Sequence, residues 1–444
     1  MDLIIAFALF LAGMMLALFT GYSMIFPLLA GLAAFLWVGK HRSFSLPALV
    51  GFGTAGMKDA LIVIKVMCFI GFLTAVWRIS GTITIFVYYG MKLITPPLFL
   101  LITFLLSCLL SYALGTSFGV AGTVGVIFMT LARSGGVDPV VTAGVIMSGV
   151  YFGDRGSPVS SSANMVAGVT GTDIFENVKR MMRSAALPLV LVLGIYAILS
   201  VKNPLAAVDE AFLSEFEQTF TLSAWSFLPA VLMLVLPLLK VPVLTAMGLS
   251  ILSSAAIAWA IGGFSLPEIL KICLLGYHPA ASGLVGLLEG GGLWSMAEII
   301  VILLISSAYS GIFKGTSMLE SLQDKLASAC GRIGRFPVMI LMSLGVASVF
   351  CNQTISTLMC SNLLEKPYLD GGGSREELAL YMENSVILLA CFIPWTIGWT
   401  VPTSFFGVGA EAMPYAVYMY LVPLCWLLMK NKFFLQGKRD AKRI

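Results

Sequence analysis

The chain has 444 residues, 59% of them hydrophobic and only 11% charged, with 26 Lys plus Arg against 22 Asp plus Glu for a net charge of +4. Soluble domains carry about 25% charged residues, so a soluble globular domain is excluded, and nothing in the composition points to nucleic acid as a partner. The charge-free runs are long: Leu3 to Gly39, Leu93 to Ala132, Gln218 to Leu239, Val241 to Pro267, Phe336 to Leu364 and Asn384 to Ala410. A spanning helix needs about 20 apolar residues. Several runs therefore hold one helix, and the longer ones hold two with a Gly or Pro break. The expectation is an all-α polytopic membrane protein with about 10–12 transmembrane helices.

From the beginning of the chain, residues 1–54 read as N-terminal transmembrane helices. They do not read as a cleaved signal, because Asp2 is acidic and the apolar run continues past Thr20. Lys40 and Arg42 follow the first two helices, Lys179, Arg180 and Arg183 follow residues 140–178, and six basic residues from Lys430 to Arg443 close the chain. Basic residues in short loops stay on the cytoplasmic side, so all three clusters, and with them the C-terminus, are expected there. The loop from Lys202 to Thr221 carries Asp209, Glu210, Glu215 and Glu217 and reads as external. One crossing then falls between Arg183 and Lys202 and another between Leu222 and Lys240. The expected location is a bacterial-type plasma (inner) membrane, with membrane lipid as a standing partner and a homodimer compatible with the sequence.

Val140 to Phe152 reads as a helix entering the bilayer, after which Gly153, Gly156 and Pro158 break it in quick succession. Asp154 and Arg155 sit at the break, and Ser157, Ser160, Ser161, Ser162 and Asn164 follow. Backbone freed from helical pairing at membrane depth needs protein or a water-filled cavity to satisfy it, and secondary transporters place their sites at such breaks. A second polar interruption, Gly115-Thr116-Ser117-Phe118-Gly119, lies inside the charge-free run from Leu93 to Ala132, and a third, Asn352-Gln353-Thr354, inside the run from Phe336 to Leu364. Hydroxyls, amides and opened carbonyls are hard oxygen ligands suited to sodium, and half-helix ends add dipoles. Close helix packing is the competing use of Gly115 and Gly119.

These interruptions keep one register. Arg78 pairs with Lys314 inside similar segments, Thr116 with Asn352 and Pro158 with Pro394, each pair 236 residues apart (314 − 78, 352 − 116, 394 − 158). Two transport repeats are expected, 55–200 and 290–430, joined by an external acidic loop and linking helices at 201–289 and closed by a basic cytoplasmic tail at 431–444. The breaks near Pro158 and Pro394 are expected to meet at mid-membrane around a pseudo-two-fold axis.

The stretch Gly153-Asp154-Arg155-Gly156-Ser157-Pro158-Val159-Ser160-Ser161-Ser162-Ala163-Asn164 resembles the Gly-Asp-Lys-x-Ser-Pro-Leu-Ser-Asp-Thr-Thr-Asn signature of the NhaC-type sodium/proton antiporters. Gly171-Thr172-Asp173 through Met182 is similar to that signature's continuation, and Met382-Glu383-Asn384 with Ile393-Pro394-Trp395-Thr396 echoes a second family element. The departures are Ser161 and Asn384, where the family has Asp, and Thr396 for Asn. The resemblance implies an ion-gradient-driven Na+/H+ antiporter whose two repeats run antiparallel. The missing acids favour the alternative, a Na+- or H+-coupled carrier of an amino or carboxylic acid.

Asp154 and Glu383 are the acids nearest the expected midplane of each half, and an intramembrane carboxylate is a functional residue by default. Asp154 reads either as an ion pair with Arg155 that shapes or gates the site, or as the coupling acid. Glu383 has no adjacent base and is the better proton carrier. The full ion- or substrate-binding set is Asp154, Ser157, Ser160, Ser161, Asn164, Thr116, Ser117, Asn352, Gln353, Thr354, Glu383 and Asn384. Lys65 either snorkels to an interface or pairs with Glu383 or a carboxylate substrate. His278 reads either as a group that titrates near neutral pH or, since it stands alone, as capping a helix end. Glu289 and Glu298 read as the polar ends of a re-entrant or interfacial piece, and Trp395 and Trp399 line the cavity or belong to an aromatic belt. The eight cysteines are scattered without metal-ligand spacing, and Gly290-Gly-Gly292 and Gly371-Gly-Gly373 lack a following Lys-Ser/Thr. No cofactor, resident metal, ATPase engine or enzyme activity is therefore expected, only a transported or coupling Na+ or H+.

Overall fold

The computed structural model describes residues 2–20, 22–93, 96–205, 217–218, 221–239, 241–278, 289–318 and 323–440. Among them there is no strand, only an isolated bridge between Tyr277 and Gly290. The helices are α1 (Asp2–Thr20), α2 (Ile25–His41), α3 (Leu46–Asp59), α4 (Leu61–Ile79), α5 (Thr82–Leu93), α6 (Phe99–Leu114), α7 (Ser117–Ser134), α8 (Pro139–Gly156), α9 (Ser161–Thr170), α10 (Ile174–Lys202), α11 (Leu228–Leu238), α12 (Val243–Ala260) and α13 (Leu266–Leu275). After the undescribed residues come α14 (Ala297–Thr316), α15 (Gln323–Ile333), α16 (Arg335–Phe350), α17 (Gln353–Asp370), α18 (Arg375–Glu383), α19 (Val386–Leu389), α20 (Ile397–Phe406) and α21 (Val417–Asp440). The acids Asp209, Glu210 and Glu215 of the acidic loop lie outside the described residues.

Four described stretches are long and apolar enough to cross a membrane alone: Pro96–Leu114, Ser117–Ser134, Ile174–Lys202 and Leu293–Thr316. A fifth arises if α4 and α5, bent by 67° at their junction, form one span. Most other apolar helices are shorter because polar breaks cut the runs into pieces. The protein is a multi-pass membrane protein built largely from interrupted helices.

Helix ends recur at a fixed spacing. The bounds of α6, α7 and α9 reappear 236 residues later in α16, α17 and α20, and the first residues of α8 and α18 differ by the same amount. The N-caps follow suit: Thr116 and Asn352, Asp138 and Ser374, Ser160 and Thr396. So do the left-handed residues: Gly115 and Cys351, Gly136 and Gly372, Gly171 and Gly407. The spacing fails at one place. α8 runs unbroken to Gly156, whereas its counterpart stops at Glu383 and resumes at Val386.

In lipid, helices associate through close packing rather than through the hydrophobic effect, and small residues allow it. Gly149 and Gly153 of α8 lie against α6; a Cβ at Gly153 would stand 2.1 Å from the Ser111 carbonyl carbon. Gly56 of α3 and Gly311 of α14 meet the same way, with a Cβ on Gly311 only 2.0 Å from the Phe52 oxygen. The α6–α8 contact corrects the expectation that the helix breaks at Gly153. That glycine stays helical and serves packing, and the break falls at Ser157 to Ser160.

Candidate functional site

Two hairpin tips and two breaks meet around Asp154. The first tip, Gly115, adopts φ +64° and rests on the first break: a Cβ there would lie 2.5 Å from the Val159 oxygen and 2.7 Å from the Ser160 nitrogen. Only glycine fits that approach. The second tip is tied to the second break, since Ile397 N donates to Cys351 O at 2.8 Å. Ser160 caps α9 by accepting from the Ser162 and Ala163 amides at 3.1 and 3.3 Å, while its hydroxyl donates to the Asp154 carbonyl at 2.5 Å.

Asp154, in the last turn of α8, is buried. Gln353 Nε2 donates to Oδ2 at 2.9 Å and to Ile387 O at 2.9 Å. Ser160 Oγ lies 3.4 Å from Oδ1. Ser162 Oγ lies 3.1 Å from Oδ2, 3.2 Å from Oδ1 and 3.1 Å from Gln353 Oε1. A hydroxyl has one proton, so Ser162 satisfies one of three acceptors within 3.2 Å and leaves oxygen lone pairs gathered in a buried place. No ion pair to Asp154 exists among the described residues. The neighbouring helical positions 154 and 155 do not face each other, so the gating ion pair between Asp154 and Arg155 is not formed.

Arg155 points the other way and is fully buried. Nε donates to the Glu383 carbonyl at 3.1 Å and Nη1 to the Tyr418 hydroxyl at 2.9 Å. Nη2 reaches Met181 O at 3.2 Å, Ser184 Oγ at 2.8 Å and Asn384 Oδ1. One guanidinium thus joins α8 to α10, α18 and α21 through neutral acceptors. Glu383 ends α18, fully buried, and neither of its carboxyl oxygens has a hydrogen-bond partner among the described residues. Asn384 Nδ2 is likewise unpartnered.

The expected site residues separate into groups. Asp154, Ser160 and Gln353 come together, and Arg155 brings Glu383 and Asn384 beside them. Ser157 anchors the first break to α6 through the Tyr112 carbonyl at 2.6 Å. Asn164 braces the same break by donating to Pro158 O and Ser160 O at 2.8 and 2.7 Å. Thr116 and Asn352 are N-caps, accepting from Gly119 N and Ile355 N. Ser117 is buried beside them. Ser161 and Thr354 are exposed and stand outside the carboxylate cluster. Ser162, Ser184 and Tyr418 were not in the expected set. The Ser160–Ser162 run carries the signal for Ser162, whereas the family pattern points to Ser161.

Other expectations also resolve. Lys65 is exposed and has no ion pair with Glu383. His278 Nε2 lies 3.1 Å from Leu275 O at the end of α13, and Nδ1 lies 2.9 Å from Glu289. The Glu289 hydrogen bond pushes that solvent-exposed imidazole above its ordinary value. Trp395 and Trp399 are buried and donate to the Ser348 and Gly409 carbonyls, so they pack the breaks and form no exposed belt.

The sequence profile of the Na+/H+ antiporter family matches residues 1–162 and 149–429. The Na+/H+ antiporter NhaC of Alkalihalophilus pseudofirmus is 25% identical over 380 residues, 84% of this chain and 82% of its own length. The malate-2H+/Na+-lactate antiporter of Bacillus subtilis is 24% identical over 428 residues, 94% of this chain and 90% of its own. The arginine/ornithine antiporter ArcD of Halobacterium salinarum is 27% identical over 381 residues, 82% and 78%. Broken helices around a buried carboxylate, and a family match along nearly the whole chain, agree: this chain belongs to the Na+/H+ antiporter family and is an ion-driven secondary transporter.

Proposed function

We propose that the chain exchanges one Na+ for one proton, with Asp154 and the oxygens of Ser160, Ser162 and Gln353 as the cation site, Glu383 as the proton carrier and Arg155 as a fixed counter-charge. The observation that carries this reading is the buried oxygen cluster, in which one Ser162 proton faces three acceptors. A desolvated charge is costly unless it is compensated. Asp154 and Glu383 bring two negative charges and Arg155 one positive. The remainder is neutralised by Na+ beside Asp154 or by a proton on Glu383, and each loading excludes the other.

The same reading treats 55–200 and 290–430 as antiparallel repeats whose breaks at Pro158 and Pro394 meet at mid-membrane. Its support is the recurring element bounds and the placement of hairpin ends. Leu205 N donates to Pro96 O, and a Cβ on Gly135 would touch Leu205, so the outer ends of α6 and α7 share one neighbour. The outer ends of α16 and α17 are joined by Arg335 to Gly371 O. The basic clusters orient the chain with its C-terminus in the cytoplasm of a bacterial-type cell.

The test is flux in proteoliposomes. A Na+ gradient should drive proton movement with no organic solute present, at a rate unchanged when the membrane potential is clamped. A rate that follows the potential would overturn the one-for-one count. The second reading, a coupled carrier of an amino or carboxylic acid, draws on Asn384 in place of the family acid and on the malate/lactate and arginine/ornithine relatives. Flux that starts only when such a solute is added would select it.

A further inference from the structure

The half-helices α9 and α20 both begin at the site. Ser160 and Ser162 of the first stand at Asp154, and in the second Gly398 O accepts the Tyr151 hydroxyl at 2.5 Å while Ile397 N is bound to the second tip. Their far ends match as well: α9 ends at Thr170 followed by Gly171 at φ +65°, and α20 at Phe406 followed by Gly407 at φ +61°. Each final carbonyl is held by an arginine from the other half. Arg375 Nη1, at the start of α18, donates to Thr170 O at 3.1 Å. Arg133 Nη2, in the last turn of α7, donates to Phe406 O at 2.5 Å. Cationic donors at helix C-termini satisfy orphan carbonyls and complement the dipole. Gly407 makes room for its cap, since a Cβ there would come within 3.0 Å of Arg133 Nη2, whereas a Cβ at Gly171 would lie in ordinary contact at 3.7 Å from Arg375 Nη1.

The two contacts lie at opposite ends of α10. Gly171 precedes its first residue by three positions, while Gly135, two residues beyond Arg133, packs on Leu205 just past its last. A 29-residue helix spans about 43 Å, so the contacts sit near opposite membrane faces. They also differ. Arg375 is held by Glu365 at 2.9 Å, whereas Arg133 has no ion pair among the described residues and borders a cavity of about 220 Å³ with Arg78, Glu289, Ser404 and Gly407.

We propose that Arg133 and Arg375 are positioning residues, two arginine caps that tie each half-helix to the opposite half and release in alternation, so that the site opens to one face at a time. The proposal rests on the reading that the breaks house the site. Opening the face at Lys202 requires α20 to part from α7, which breaks the Arg133 cap; opening the face at Ile174 requires α9 to part from α18, which breaks the Arg375 cap. Two states that differ by one charge-assisted hydrogen bond shift in population by about tenfold when it is removed.

The test uses Cys391, buried in the site beside Gly398, as a reporter in full-length protein whose other seven cysteines are replaced. A membrane-impermeant maleimide is applied to one face of oriented vesicles and then to the other. Arg133→Gln should raise labelling from the Lys202 face about tenfold relative to the Ile174 face, and Arg375→Gln should do the reverse. Arg133→Lys and Arg375→Lys should restore the wild-type ratio. Shifts in the same direction, or a ratio unchanged in both Gln variants, would overturn the proposal. A purely structural role would lower yield without changing the ratio. Should the Gln variants not fold, hydrogen exchange of wild-type protein decides: amides at 171–173 and 407–409 should respond to added Na+ in opposite directions, and a common response would count against alternation. If the site lies elsewhere, Glu383→Gln keeps pH-dependent flux whatever the labelling ratio does, so the two failures are distinguishable.

Discussion

The first break and the second share a scaffold but not a chemistry. At the spacing of 236, Asp154 corresponds to Ala390, Arg155 to Cys391 and Ser162 to Gly398, while Glu383 corresponds to Met147. Hydroxyl N-caps and left-handed tips occur in both halves, whereas none of the three charged residues has a charged counterpart at that spacing. α8 stays continuous through its charged turn, and the counterpart is cut at Asn384 and Ser385, where Arg155 arrives from across the molecule. The difference teaches that recurring helix ends supply paired openings, while the charged cluster is assembled only once, from Asp154 and Arg155 of one half and Gln353, Glu383 and Asn384 of the other.

The sharpest way to break this comparison is Arg155→Gln against Cys391→Ser. The first strands acceptors on α10, α18 and α21 and leaves Glu383 uncompensated, a loss of about 3–5 kcal/mol. Folded yield should collapse by fluorescence-detected size exclusion, while Cys391→Ser stays near wild type. Next is Asp154→Asn. Because Asp154 forms no pair with Arg155, the variant should fold, yet lose Na+ affinity about 100-fold, equivalent to roughly 3 kcal/mol, in isothermal titration. Normal Na+ binding would move the cation site away from the first half.

Glu383→Gln should also fold, since Gln copies the protonated acid and no partner is lost. In the proposed exchange, raising pH empties the proton carrier and admits Na+; with that step gone, flux across a pH series should be flat. A retained pH profile would transfer the role to Asp154. The tips offer a smaller test. Gly115→Ala meets the Val159 carbonyl and should destabilise by about 2 kcal/mol or more, whereas Cys351→Gly relieves a left-handed non-glycine residue and should raise the melting midpoint by the equivalent of about 1 kcal/mol. Smallest of all, Ser162→Ala should weaken Na+ binding about tenfold or less and Ser161→Ala should leave it unchanged. Equal effects would mean that the oxygen cluster is not the site.

Much of the scaffold was legible because lipid imposes simple rules. Charge-free runs had to be helical, and the polar interruptions at Thr116, Asn352 and Pro158 marked where helices end. Side-chain direction was not legible. Asp154 and Arg155 are adjacent in sequence, and their separation into two environments depends on the 100° turn between consecutive helical residues and on which helices pack on each face. Gly153 looked like a breaker because its packing role against Ser111 involves a contact 42 residues away. The choice of Ser162 over Ser161 turned on where α9 starts. The exposure of Lys65 and the caps made by Arg133 and Arg375 depend on tertiary neighbours that no local pattern encodes.

The buried guanidinium has a consequence for leakiness. With Asp154 and Glu383 both ionised and no ion bound, the cavity carries an unbalanced negative charge in a place where water cannot offset it. Reorienting in that state is penalised, whereas either loaded state is balanced. In the proposed exchange Arg155 thereby sets which journeys across the membrane are forbidden: an empty return would dissipate the gradient, and the charge balance of the site resists it by making emptiness the strained condition.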